Sequence, residues 1–101
     1  MKLEFRNNKD RLCFEKHSRA LRRWPKPVAD RYIQRIGIIQ AASNFEELQA
    51  IHTLRVHGLK GDRKGTWSLT IHEKWRLLFL LDVAGGEEMI SIIEVSNHYD
   101  D

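Results

Sequence analysis

At 101 residues, with 42% hydrophobic and 31% charged side chains, the chain is long enough for one domain and too short for two cores. A domain of this size hides roughly two-thirds of the surface its unfolded chain exposes, so it needs no disulfide or metal, and the lone cysteine, Cys13, excludes a bridge within the chain. The formal net charge of +3 conceals an asymmetry: residues 1–76 hold all 17 Lys and Arg against 8 acids, a net of +9, whereas residues 77–101 hold six acids and no Lys or Arg.

A basic body of this kind suits a polyanion such as RNA, DNA or the ribosome, although solvated helix surfaces account for such charge equally well. No apolar run approaches the ~20 residues of a membrane span, and Met1 is followed by no signal-like hydrophobic stretch. The expectation is a soluble, cytoplasmic protein in a reducing compartment, with no membrane association.

In chain order, "KLEF" alternates Leu3 and Phe5 with charged neighbours and predicts a short first strand. "NNKDRLCFEKHSRALRRW" predicts a helix capped by Asn7 or Asn8, with Phe14, His17 and Leu21 at helical spacing. Trp24-Pro25-Lys26-Pro27 ends it, because a residue before proline disfavours helical dihedrals. Pro27 can then sit in the first turn of the next helix, whose apolar stripe is Val28, Tyr32, Ile36 and Ile39. Asp30, Arg31, Gln34 and Arg35 fall away from that stripe. Ser43 with Glu46 reads as a capping box for a short helix buried through Phe45 and Leu48.

Beyond the loop "HGLKGDRKGTW" the period changes to two. Trp67, Leu69 and Ile71 form one strand, "HEK" turns, and Trp75, Leu77, Phe79 and Leu81 form the next, with Arg76, Leu78 and Leu80 on its other face. "DVAGGEE" is a second turn, and "MISIIEV" is apolar enough for an interior strand. The order β-α-α-(short α)-β-β-β predicts an α+β domain over residues 1–101, an antiparallel meander with helices packed on one face.

Several chemistries are disfavoured. The loop lacks the Gly-Lys-Ser/Thr order of a nucleotide-binding phosphate loop and no strand is predicted immediately before it. Cys13 and His17 lie four apart, half of a zinc site without a second half, so no metal or cofactor is expected. Ser68 and Ser91 lie inside predicted strands, without the sharp turn that exposes a nucleophile.

What remains suits a phosphodiester. RNA brings its own nucleophile, the 2′-hydroxyl, so its cleavage needs only a base, cations around the phosphate, and an acid for the leaving 5′-oxygen. His57, Lys60, Arg63, Lys64, Arg76, His98 and Tyr99 include residue types for each role. Arg76 is the most informative, because a cation on a sheet face is better held than one on a loop tip. Asp62, Glu73 and Glu94 are the acids that could instead engage it in a salt bridge. Lys74 and Asn97 complete the polar groups expected to touch RNA or the ribosome, together with Arg63 and Lys64.

The stretch "LRVHGLKGDRKGTWSLTIHEKWRLLF", residues 54–79, resembles the signature of HigB-like toxins in the RelE/ParE superfamily: His-x-Leu-Lys-Gly-Asp-Arg-x-Gly-x-Trp-Ser, a turn, then Trp-Arg-Ile/Leu-x-Phe. The resemblance implies a RelE-like, microbial RNase-like fold with a small twisted antiparallel sheet. It implies the toxin of a bacterial type II toxin–antitoxin system: a ribosome-dependent endoribonuclease cutting messenger RNA by 2′-hydroxyl attack, neutralised by a HigA-like, helix-turn-helix antitoxin. On this basis the catalytic set is His57, Lys60, Arg76, His98 and Tyr99, and Gly58 and Gly61 let the backbone approach the scissile phosphate.

The family commonly ends in Asp-Tyr-His, whereas this chain reads Asn97-His98-Tyr99-Asp100-Asp101. Asn97 replaces Asp, and the aromatic and imidazole groups exchange places. Two other readings stay open on sequence: a ParE-like, gyrase-directed toxin, and a non-enzymatic RNA-binding module. The first needs no general base. The second needs aromatics on an open sheet face, whereas Trp67 and Trp75 share the phase of Leu69, Leu77 and Phe79.

Overall fold

The computed structural model describes residues 1–97. It has strands β1 (Lys2–Phe5), β2 (His57–Gly58), β3 (Trp67–His72), β4 (Trp75–Ala84) and β5 (Glu87–Ser96). Helices α1 (Asn8–Glu15), α2 (His17–Arg23), α3 (Lys26–Ala41) and α4 (Phe45–Gln49) fill the first half, with 3₁₀ turns at His52–Leu54 and Gly61–Arg63. Among the described residues no helix is long and apolar enough to cross a membrane.

The sheet order is β1-β5-β4-β3-β2. Strands β2 to β5 make the antiparallel meander, while β1 joins β5 in parallel, pairing Leu3 with Ile90 and Phe5 with Ile92. The antiparallel expectation therefore needs correction at one edge. A strand returned to the sheet after a helical excursion can run in either direction, and alternation within "KLEF" carries no information on which.

Two-sided patterning explains the layers. Leu69, Ile71, Leu77, Phe79, Ile90 and Ile92 are fully buried together with Val28, Tyr32, Ile36 and Ile39 of α3. Each fully buried aliphatic or aromatic side chain contributes on the order of 1.5–3 kcal/mol by leaving water. Trp67 and Trp75 pack against this cluster, and the Trp67 ring meets Phe45 edge-on at 4.9 Å. They are core aromatics, not a stacking platform.

The helices depart from expectation at two points. The predicted first helix is two, because Lys16 takes extended dihedrals (φ −130°, ψ 108°) and caps α2 as it leaves α1. The break rotates the following face, so Ala20 is buried while Leu21 is 40% exposed and His17 turns outward to Asp30. Asn7 caps α1, accepting from the Asp10 amide at 2.8 Å. The short helix is capped by Asn44 rather than Ser43: Asn44 Oδ1 accepts from the Glu47 amide, and Glu47 Oε2 accepts from the Ser43 amide. The capping box is the predicted one displaced by a residue.

The "DVAGGEE" turn is narrower than predicted. Strand β4 continues to Ala84, β5 begins at Glu87, and Gly85 and Gly86 alone turn the chain with φ of 61° and 80°.

Candidate active site

The sheet face turned away from the helices carries Ser68 and Thr70 of β3 and Arg76 of β4, beside the buried Leu78. Register places His57 opposite Ser68, Thr70 opposite Arg76, and Arg76 opposite Ser96. Because Ser68 and Thr70 are two apart on β3, His57 and Arg76 share one face. Their Cα atoms are separated by two strand spacings and two residues of rise, roughly 12 Å, so the long Arg76 side chain and the imidazole can converge on one phosphate.

Arg76 is only 8% exposed. Its Nη1 donates to the Glu73 carbonyl and, at 3.1 Å, to the Trp75 carbonyl. Those acceptors come from the β3–β4 turn, where Glu73 has a positive φ of 50°. Of the three acids considered for Arg76, Glu73 engages it through its backbone and Glu94 pairs with Arg63 at 3.1 Å. Two carbonyls orient the guanidinium, and neither carries a formal charge of its own.

His57 is half-buried in β2, and its Nδ1 lies 3.0 Å from the Arg55 carbonyl. A carbonyl only accepts, so Nδ1 carries a proton and Nε2 is the basic nitrogen of the neutral ring. Arg55 has a left-handed φ of 51°, which costs about 1–2 kcal/mol for an L-residue. That strained residue supplies the carbonyl that sets the imidazole tautomer.

The loop after β2 is ordered by its own backbone. Leu59 is buried, its amide donates to the Thr66 carbonyl at 2.8 Å, and the Thr66 amide donates to the Arg63 carbonyl at 2.9 Å. Lys60 and Lys64 flank the Gly61–Arg63 turn and are exposed. The predicted glycine roles divide. Gly61 is needed for its φ of 66°, whereas Gly58 has ordinary dihedrals and a Cβ there would stand 3.8 Å from the Trp67 ring. Conformation, rather than close packing, explains the glycine at 61.

Lys74 is exposed in the β3–β4 turn beside Arg76. Asn97 is exposed one residue past Ser96, the cross-strand partner of Arg76. His98 and Tyr99 lie outside the described residues. Cys13 and His17 fall on different helices, Cys13 buried and His17 Nε2 2.6 Å from Asp30, so the half-site spacing does not bring them to one ion. Among the described residues no three His, Cys, Asp or Glu side chains cluster as metal ligands.

Sequence reasoning passed over two features of this face. Glu94 tethers the loop to β5 through Arg63. The Ser68 and Thr70 hydroxyls are buried without a hydrogen-bond partner among the described residues. Their signal was the polar phase of β3, which read as an ordinary outward face.

A family of known proteins carries the same pattern along nearly the whole chain. The profile of HigB-like toxins, described as the RelE-like toxin of the type II toxin–antitoxin system HigB, matches residues 3–98. The chain belongs to the HigB-like toxin family. It is 38% identical over 55 residues to a protein named endoribonuclease HigB from Proteus vulgaris, a match covering 54% of this chain and 59% of that protein. The matched segment thus spans less than two-thirds of the curated relative. Two solved toxins share the fold: a YoeB/ParE toxin from Agrobacterium tumefaciens (TM-score 0.59, 19% identity, 98% of this chain and 100% of that one) and YafQ from E. coli strain BL21(DE3) (TM-score 0.56, 11% identity, 96% and 92%). The HigB-like fold is therefore the α+β arrangement expected, with the helical layer on one side of the sheet and His57 and Arg76 on the other.

Proposed function

We propose that this chain is the toxin of a bacterial type II pair and acts in the cytoplasm as a metal-independent endoribonuclease on messenger RNA in the ribosomal A site. The observation that carries the reading is the shared sheet face of His57 and Arg76, one with its tautomer set by a backbone carbonyl and the other with its charge held by two. That pairing fits phosphodiester cleavage. An inhibitor acting by binding alone has no use for an oriented base.

In this mechanism a ribose 2′-hydroxyl attacks the adjacent phosphorus and the bond to the 5′-oxygen breaks, leaving a 2′,3′-cyclic phosphate and a 5′-hydroxyl. His57 Nε2 takes the 2′-hydroxyl proton. Arg76 and Lys60 bind the phosphate oxygens as charge accumulates, where fixed cations lower the barrier most. His98 returns a proton to the 5′-oxygen, and Tyr99 positions the nucleotide. Lys64, Lys74, Arg63 and Asn97 contact the flanking RNA and ribosome. A HigA-like, helix-turn-helix antitoxin is the cognate partner.

The test is cleavage of a defined message on programmed ribosomes by purified protein, with mapping of the product ends. Cyclic-phosphate and 5′-hydroxyl ends are expected, together with growth arrest on expression that the neighbouring gene relieves. Intact message and normal growth in the presence of folded protein would overturn the proposal.

A further inference from the structure

On the helical side of the molecule, α1 and α2 enclose a cleft of about 260 Å³ lined by Lys9, Leu12, Cys13, Arg19, Arg22 and Arg23. Four of its six lining residues are cations. Arg23 is held in place: its Nη1 lies 2.7 Å from Oδ1 of the fully buried Asp10 and 3.8 Å from Cys13 Sγ, and its guanidinium stands 4.7 Å from the centroid of the Trp24 ring. Asp10 is itself fixed by Asn7 Nδ2 at 2.7 Å. Lys9, Arg19 and Arg22 are exposed and make no ion pair among the described residues.

We infer that this cleft is a phosphate-binding site for folded RNA, separate from the catalytic face. Asp10 offsets one of the four cations, and the remaining three converge unpaired on a concavity wide enough for a phosphate with its ribose. An acidic amphipathic peptide would need an apolar strip to bury, and the cleft offers only Leu12 and Cys13. Guanidinium forks instead match phosphate oxygens two at a time.

The site cannot serve the scissile phosphate. Helix α1 packs over β1 and β5, whereas His57 lies on β2 at the opposite edge and on the opposite face. Three strand spacings alone separate them by roughly 14 Å. A second, distant segment of a folded RNA, such as the ribosome supplies, would bridge the two. This rests on the ribonuclease reading only for the identity of the polyanion.

The experiment compares His57→Ala protein with the same protein carrying Lys9→Gln, Arg19→Gln and Arg22→Gln, binding purified ribosomes, a 30-nucleotide RNA hairpin and polyglutamate across a salt series. The expected result is a loss of ten-fold or more in affinity for both RNAs. The slope of log affinity on log salt should fall by about two, since each phosphate contact contributes roughly 0.9 on a duplex. The thermal midpoint should stay within a few degrees. Should the triple variant not fold, Arg19→Gln and Arg22→Gln singly should each lose at least about three-fold. RNA affinity within two-fold of the parent overturns the inference, as does an equal loss for polyglutamate and RNA, which would make the cleft an unspecific cationic surface. Because binding alone is read, in a His57→Ala background, the result bears on this site only; failure of the unsubstituted protein to cut message on programmed ribosomes would remove the nuclease reading and leave this site standing.

Discussion

At the scale of single residues, Arg76 shows why a guanidinium and not an ammonium is wanted on this sheet. One nitrogen donates to the Glu73 and Trp75 carbonyls, so the backbone of the β3–β4 turn orients the group, and a guanidinium fork matches two phosphate oxygens at once. Lysine has a single nitrogen for both tasks. Arg76→Lys is therefore expected to reduce cleavage on ribosomes by at least about ten-fold without unfolding the protein, and His57→Ala by a similar factor. Rates near the parent's for either variant, measured at saturating ribosomes, would remove that residue from catalysis. Thr70 supplies a stability counterpart. Its Oγ1 is buried with no partner among the described residues, and a buried hydroxyl left unbonded costs about 1–3 kcal/mol. Thr70→Val keeps the shape and deletes that cost, so chemical denaturation should show a gain of about 1 kcal/mol. A loss of stability instead would mean that the hydroxyl is satisfied by bound water.

At the scale of elements, α2 and α3 are clasped by a charge cluster in which Asp30 meets Lys26 at 2.6 Å and His17 at 2.6 Å. The hydrogen bonds from Lys26 and then His17 hold the Asp30 carboxyl below its ordinary value. A carboxylate whose folded pKa is depressed adds stability above its unfolded pKa, about 3.9, and loses it as pH falls through the lower folded value. Asp30→Asn should therefore leave the acid limb of the thermal midpoint shallower than the parent's, with the two curves converging at the lowest pH. Curves that stay parallel below pH 4 would show that the clasp adds nothing. This clasp was hidden in the sequence because Phe14, His17 and Leu21 keep helical spacing straight through the break at Lys16, which only backbone dihedrals reveal. Strands β3 and β4 were legible, since a face buried under helices forces period two from Trp67 to Leu81. The two residues of β2 are too few for any period, and they hold His57. The site was legible as residue types within a spaced motif, and the pairing of His57 with Ser68 that sets their common face was not.

At the scale of the whole molecule, part of the charge asymmetry of the sequence becomes a spatial one: of the four described acids after Arg76, Glu94 meets Arg63 and the other three lie at the far end of β4. Asp82, Glu87 and Glu88 gather around the β4–β5 hairpin, and the stretch of β4 from Arg76 to Ala84 extends roughly 26 Å. Screening lengths are about 10 Å at 0.1 M salt, so those acids barely reduce the potential at the end that holds Arg76, and their exposed bridge from Glu87 to Lys2 adds little. The acidic end can instead turn away from a polyanion while the cationic end approaches. Ribosome binding should accordingly fall by ten-fold or more between 50 and 200 mM salt, values chosen to span the usual screening range. Asp82→Asn, Glu87→Gln and Glu88→Gln together should change affinity at 0.1 M salt by less than about two-fold, whereas Lys60→Gln with Lys64→Gln should weaken it and flatten the salt slope. Arg63→Gln should weaken it less than either lysine change alone, because Glu94 already offsets that guanidinium at 3.1 Å. Equal effects from the two ends would mean that the protein responds to its net charge alone, and the spatial separation along β4 would then have no part in recognition.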